Sequence, residues 1–254
     1  MKRKITQTQS KAGSDSAKMK KENWLKLGKL DAALGSSNVK KITELFTKLG
    51  LTKKKTSSTY YRWEDDVIER EIPEGASVLD LGCGEGMLLK RLIKNKNVHG
   101  QGVELDSANV RKCVENGVPV FQIDLSNGLK GLPDNSYEYV ILEETLQTLS
   151  KPEDTLKEML RVGKRGIVSF PNFGFWRVRF ELMTLGRMPV TDRLPFKWYN
   201  TPNIHMLTLQ DFIDWTKKEK VKIAQGFSLT ERKLGPLKPK TDNLYAEEVL
   251  IIIE

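Results

Sequence analysis

The sequence predicts an α/β fold: a single doubly wound, mainly parallel sheet behind a basic, partly helical N-terminal extension. Three observations carry that prediction. Apolar runs of six or seven residues alternate with segments of helical period across residues 76–229, and strands spaced by helices form a parallel sheet covered on both faces. The first run ends in a glycine-rich turn, Asp80-Leu81-Gly82-Cys83-Gly84-Glu85-Gly86, and the next two end on the carboxylates Glu104 and Asp124. Charge is segregated: residues 1–59 hold 15 Lys/Arg against four Asp/Glu, whereas residues 60–254 hold 27 against 29.

The first division of the chain follows from that charge. Residues 1–59 read as an extension of net +11 and residues 60–254 as a near-neutral domain of net −2. Residues 1–21 are too polar to bury a core, which predicts disorder. Within 23–50, Asn23 can cap a helix bearing Trp24, Leu27, Leu30 and Leu34, and Asn38 a second bearing Ile42, Leu45, Phe46 and Leu49. Gly35 and Gly50 are the stops. Residues 51–59 read as a linker.

In the domain, strands are expected over 76–82, 98–104, 118–123, 137–143 and 165–170. Helices are expected to carry Met87, Leu88 and Leu92, to start at Ser107, and to open at Pro152 with Leu156, Met159 and Leu160 inward. A further helix over 209–219, a strand over 221–229 and a terminal strand near 244–253 complete the pattern. The last two strands predict an antiparallel edge. If 174–186 is helical, Phe175, Val178, Leu182 and Leu185 form one apolar stripe and Trp176, Phe180 and Met183 another. The second stripe then needs a cover: the 189–202 excursion, the 24–49 helices, or another subunit.

Composition excludes several classes. The chain has 254 residues with 39% hydrophobic content, enough for one domain with an appendage. No stretch approaches the roughly 20 apolar residues of a membrane helix. Cys83 and Cys113 are the only cysteines, so neither a disulfide framework nor a Cys-based zinc site is in view. Cys83 reads as a small packing residue of the loop and Cys113 as core. The start lacks the apolar core of a secretory signal, so a soluble, reducing, cytoplasmic setting is expected. The overall +9 suggests nucleic acid only until it is located, because it belongs to the extension.

The chemistry lies in the first strand, turn and helix. Gly82, Gly84 and Gly86 let the backbone turn sharply and approach a ligand at a helix N-terminus. Glu104, 24 residues after Asp80, can accept ribose hydroxyls, and Asp124 can accept an exocyclic amine. Ligands of open α/β sheets bind where strands end. The dinucleotide fingerprint needs glycine at 87, where Met87 stands, and no G-K-[ST] is present to hold a triphosphate.

With Glu104 and Asp124 in order, the D-x-G-x-G-x-G loop resembles class I S-adenosylmethionine-dependent methyltransferases, implying a Rossmann-like sheet and that cofactor. Residues 76–229 resemble more closely the MetW family of methionine biosynthesis. The runs that carry this include Thr145-Leu146-Gln147, Glu158-Met159-Leu160-Arg161-Val162-Gly163, Phe170-Pro171-Asn172-Phe173-Gly174, Gly186-Arg187-Met188-Pro189 and Trp198-Tyr199-Asn200-Thr201-Pro202-Asn203-Ile204-His205. The resemblance implies cofactor contacts at Asp80, Gly82, Cys83, Gly84, Gly86, Glu104, Leu105, Asp124, Leu125 and Glu143, and no metal ligand. It also implies a subunit that supports or regulates a MetX-type homoserine O-acyltransferase. No Asn-Pro-Pro-Tyr motif follows the fourth strand; Glu143-Glu144-Thr145-Leu146-Gln147 stands there instead. Three functions stay open: that acyltransferase partner, which could also sense S-adenosylmethionine; a stand-alone small-molecule methyltransferase; and a nucleic-acid methyltransferase using the basic arm. His205 reads as a structural hydrogen-bonder or an acid/base, and Arg177 and Arg179 as a solvated face or an anion reader.

Overall fold

The computed structural model describes residues 62–230 and 233–254; the segments expected at 1–21, 23–50 and 51–59 lie outside them. The described residues up to Leu182 and from Arg187 onward belong to one compact unit. In chain order its elements are α1 (Trp63–Glu71), β1 (Ser77–Leu81), α2 (Met87–Lys96), β2 (His99–Glu104), α3 (Ser107–Glu115), β3 (Val120–Gln122), β4 (Tyr137–Glu143), α4 (Pro152–Val162) and β5 (Gly163–Pro171). Then come α5 (Trp176–Leu185), α6 (Leu209–Glu219), β6 (Ile223–Thr230), β7 (Lys233–Pro236), α7 (Pro239–Tyr245) and β8 (Glu248–Ile253). Short 3-10 turns occupy Leu125–Asn127 and Leu146–Thr148.

Local chemistry sets most helix starts. Asp106 caps α3 by accepting from Ala108 N (2.7 Å) and Asn109 N (3.1 Å). Thr208 and Asp211 form a reciprocal capping box at α6. Pro152 opens α4 from a position where its missing N–H leaves nothing unpaired.

The eight strands lie in the order β3-β2-β1-β4-β5-β8-β6-β7. The first five are mutually parallel, β8 runs antiparallel between β5 and β6, and β7 closes a hairpin with β6. Both faces are buried. Leu79, Val140, Leu142, Val168, Phe170 and Ile251 pack against α4 and α6. Their alternates Val78, Tyr139, Ile141, Ile167, Leu250 and Ile252 pack against α1, α2 and α3. That period of two, set between helices on each face, explains why the strands read as continuous apolar runs. Among the described residues no helix is long and apolar enough to cross a membrane.

Most expected elements appear within two or three residues of their expected ends. One is corrected: the terminal strand expected near 244–253 is two elements, with α7 ending at Tyr245 and β8 starting at Glu248. Pro239 opens α7, and the apolar run Val249–Ile253 alone carries the strand. The antiparallel pair β8-β6 lies at one end of the sheet as expected, with β7 added outside it as the edge strand. Helix α1 had no counterpart in the sequence reading; it buries Trp63, Val67 and Ile68. Helix α5 forms as expected, and among the described residues its first stripe is covered at the start. Phe175 and Val178 pack with Leu194 of the following excursion, while Leu182 and Met183 are exposed. Arg179 is exposed and donates to Gly174 O (2.5 Å) and Asn243 O (3.0 Å). Arg177 faces Glu181 at 3.9 Å.

The chain leaves and re-enters the sheet through Asn172, which is 1% exposed. Its amide donates to the carbonyls of Asp242 (3.2 Å), Asn243 (3.3 Å) and Ala246 (2.9 Å). Its Oδ1 accepts from Gly174 N (2.9 Å) and Leu209 N (3.1 Å). One side chain thus ties the end of β5 to α6, α7 and the entry to α5. Replacing it by alanine orphans two buried N–H groups as well as three carbonyls. Asn172→Ala is expected to lower the unfolding free energy by about 3 kcal/mol or more, measured by urea denaturation; a loss below about 1 kcal/mol would contradict this junction.

Candidate functional site

The carboxyl ends of β3, β2, β1 and β4 lie side by side, and the residues singled out in the sequence gather there. After β1 the chain turns through Gly82 (φ 77°), Gly84 (φ 55°) and Gly86 (φ 75°), a left-handed region open mainly to glycine. At Gly82 a Cβ would also stand 2.7 Å from Thr145 Oγ1, so the loop packs directly on the segment after β4. At Gly84 a Cβ would meet nothing within 4 Å, which leaves open space above the turn. Cys83 Sγ lies 3.8 Å from Cys113 Sγ, and Cys113 donates to Gly84 O at 3.1 Å. Burial pushes both thiols up, consistent with packing and not with nucleophilic chemistry.

Glu104 locks this loop. Its Oε2 accepts from Gly84 N (2.8 Å), and its Oε1 from Leu105 N (2.8 Å) and Asp106 N (2.9 Å). A carboxylate offers about four acceptor positions. With three occupied, one ribose hydroxyl fits as the loop stands; accepting both requires one amide to let go. Leu105 beside it is 60% exposed, a free apolar surface at the rim. Asp124 accepts from Ser126 N (2.9 Å) and from the Ser126 hydroxyl, and those bonds hold its carboxyl below the usual range. Leu125 is buried in the core behind, so only its backbone can face a ligand.

The floor of the site is acidic. Asp80 is buried at the end of β1, and burial pushes its carboxyl up to about 7, with Asp65 and Glu104 adding repulsion and Arg62 opposing. Glu143 ends β4 and is ion-paired to Arg62 through Oε2, while its Oε1 is buried with no hydrogen-bond partner among the described residues. Burial raises its pKa against the pull of that guanidinium. Glu144 follows with φ 47°, a strained conformation for a non-glycine residue. Glu64 of α1 and Glu248 of β8 approach from the other side, with Trp63 Nε1 donating to Glu248 Oε2 at 2.6 Å and Arg193 Nη1 at 3.0 Å from the same oxygen.

Every residue expected at the cofactor site lies on this edge, but the sequence reading missed Arg62, Glu64, Arg193 and Glu248. A charged residue opening the run Glu-Val-Leu-Ile-Ile-Ile was the available signal for Glu248. Arg62 and Arg193 come from segments with no periodicity. Gln147, in the turn after β4, accepts from Ile204 N (2.8 Å) and His205 N (3.0 Å) through its backbone carbonyl. His205 is therefore held by its backbone; its Nε2 is buried without a partner among the described residues. A cavity of about 280 Å³ lined by Tyr139, Arg165, Lys222 and Glu254 lies at the opposite, amino-terminal side of β4 and β5 and has no part in this site.

The family model described as Methionine biosynthesis protein MetW matches residues 62–253. The bifunctional methionine biosynthesis protein MetXA/MetW of Rhodopirellula baltica is 39% identical over 160 residues, 59% of this chain and 26% of that protein. The chain therefore spans about a quarter of that relative. The demethylmenaquinone methyltransferase of Bacillus licheniformis is 26% identical over 155 residues, 54% of this chain and 67% of that protein. Among solved structures, a possible histamine N-methyltransferase from Thermotoga maritima superposes with TM-score 0.55 at 17% identity, over 75% of this chain and 86% of that one. A TehB-like S-adenosylmethionine-dependent methyltransferase from Corynebacterium glutamicum gives TM-score 0.52 at 15% identity, over 85% and 97%. At those identities the structures share the fold.

The Asp80 carboxyl has a consequence for stability. Its pKa in the fold, about 7, lies above the ordinary aspartate value of about 4. Its stabilising contribution is therefore complete below pH about 4 and is lost as pH climbs through about 7. Relative to wild type, Asp80→Asn, which has no charge to bury, is expected to gain about 2 kcal/mol or more in stability between pH 5 and pH 8. Denaturant melts at the two pH values check this, and a difference independent of pH would contradict the raised pKa.

Proposed function

This chain belongs to the MetW family of methionine biosynthesis proteins, and from that premise we propose that it is an S-adenosylmethionine-binding subunit that supports or regulates a MetX-type homoserine O-acyltransferase. The observation that carries the partner reading is the Rhodopirellula baltica relative, whose name joins MetXA and MetW in one bifunctional protein. Fusion in one organism gives two activities a fixed proximity that separate chains must reach by binding.

The residues fit the cofactor. S-adenosylmethionine carries an adenosine, a sulfonium and an amino-acid end. Glu104 can take a ribose hydroxyl, Leu105 can lie against the base, and Asp124 can accept the exocyclic amine. Open space stands over Gly84, and the partnerless Glu143 Oε1 and buried Asp80 offer negative charge to the cationic end. When bound, the cofactor supplies an activated methyl group; the chain's own residues orient it and neutralise its charge. The stand-alone methyltransferase is the second reading, favoured by the similarity to the demethylmenaquinone enzyme. Nucleic acid is less favoured, because the excess positive charge belongs to residues 1–59, while residues 60–254 are near neutral.

Calorimetry with S-adenosylmethionine is expected to give one site, weakened ~10-fold or more by Glu104→Ala. Affinity should rise from pH 6 to pH 8 as Asp80 ionises and stay flat in Asp80→Asn; absence of binding removes both cofactor readings. For the partner, a pull-down from extract is expected to recover homoserine O-acyltransferase, and mixing should change that enzyme's rate. No co-purification and an unchanged rate would defeat the subunit reading, and transfer of labelled methyl into a metabolite would favour the second.

A further inference from the structure

From Arg187 to Thr208, between α5 and α6, the chain runs without helix or strand. A segment of that length with no regular structure is uncommon in a compact domain and is ordinarily a binding loop or a lid. It is nevertheless fixed. Leu194 packs with Phe175 and Val178, and Arg193 Nη1 lies 3.0 Å from Glu248 Oε2. Ile204 N (2.8 Å) and His205 N (3.0 Å) donate to Gln147 O, and Phe173 N donates to Leu207 O (3.1 Å). Between those anchors, Asn200 N donates to Lys197 O (3.1 Å) and Lys197 N to Asn200 Oδ1 (2.9 Å), closing the turn that carries Trp198 and Tyr199.

What this frame holds outward is apolar. Phe196, Trp198, Tyr199, Ile204 and Met206 are 46%, 75%, 63%, 64% and 65% exposed. Single apolar residues on a surface need no explanation, but five large ones on one pinned loop mark an interaction site. The Trp198 and Tyr199 rings meet edge to face with centroids 5.7 Å apart, and Lys197 Nζ stands 5.7 Å from the Tyr199 ring centre. Rings held this way lose little freedom when covered, and aromatic anchors carry a large share of binding energy. The exposed charges of residues 187–206 are Arg187 and Lys197 against one acid, Asp192. A second copy of the chain, related by a twofold, would bring a basic rim against a basic rim. Residues 1–59, with 15 Lys/Arg against four Asp/Glu, carry the same sign. The complementary occupant is a different protein that offers an apolar recess edged by carboxylates.

Resting on the subunit reading above, we propose that residues 196–206 form the face on which the homoserine O-acyltransferase docks, with Trp198 and Tyr199 as its anchors. The loop hangs from the Gln147 carbonyl in the turn after β4. The glycine loop packs on Thr145, two residues earlier. Docking there puts the partner one short turn of backbone away from the residues proposed for the cofactor.

The test mixes the purified full chain with the purified acyltransferase and follows binding by calorimetry. Trp198→Ala and Tyr199→Ala are each expected to weaken the complex ~10-fold or more, and Lys197→Glu, which reverses the rim charge, should weaken it too. Val114→Ala, at an exposed apolar position on α3, should leave it unchanged. All four side chains are exposed, and an unchanged thermal midpoint shows that each variant folds. A benzophenone photocrosslinker in place of the Trp198 side chain should join the chain to the acyltransferase. No binding by the wild-type chain would remove the subunit reading and the docking face with it. Wild-type binding that Trp198→Ala, Tyr199→Ala and Lys197→Glu all leave intact would overturn the docking face alone. So would a crosslink that forms, with the acyltransferase present, only to residues 1–59 or only between two copies of the chain.

Discussion

The side-chain amide of Asn172 is the junction on which the architecture depends. A parallel sheet delivers its strand ends to one edge, and the chain must leave β5 there, run through α5 and a long excursion, and return through α6 and β8. Loops of that length bring many backbone groups into buried space, each needing a partner. Asn172 satisfies five of them at once, three carbonyls and two N–H groups. No apolar residue could do so, and aspartate would lack the donors. The motif Pro171-Asn172-Phe173-Gly174 is thus a structural joint at the carboxyl edge of the sheet.

With that joint in place, the carboxyl edge concentrates acid. Asp80, Glu104, Asp124, Glu143, Glu144 and Glu248 all stand at strand ends, and α1 adds Glu64. Burial makes several of these carboxyls reluctant to ionise, and Arg62 and Arg193 offset only part of the charge. An edge arranged this way is suited to cationic partners, whether a sulfonium or an ammonium. The excess of Lys and Arg in residues 1–59 therefore says little about the chemistry of this edge.

The glycine loop, Glu104 and Asp124 were legible because their spacing follows from short-range geometry: a strand, a turn requiring positive φ, and a helix N-terminus. Strand boundaries were legible because residues buried on both faces read as apolar runs. The end of the chain was misread for the same reason: apolar character at Leu244 and Tyr245 blended into the run of β8, although Pro239 had begun a helix. Helix α5 shows the other limit. Periodicity marked its two stripes, but which of their residues Leu194 covers depends on where the excursion passes.

The sequence by itself determined the fold class, the family and the glycine turn that ends β1, since each is written in local spacing. Tertiary structure alone decided that Arg62 would meet Glu143, that Glu104 would spend three of its acceptor positions on its own loop, and that Glu64, Glu144 and Glu248 would converge. Those contacts join residues up to 184 positions apart, Glu64 with Glu248. No periodicity encodes such a distance. It is set by strand order, which places β8 beside β5 and brings the first described helix over the last strand.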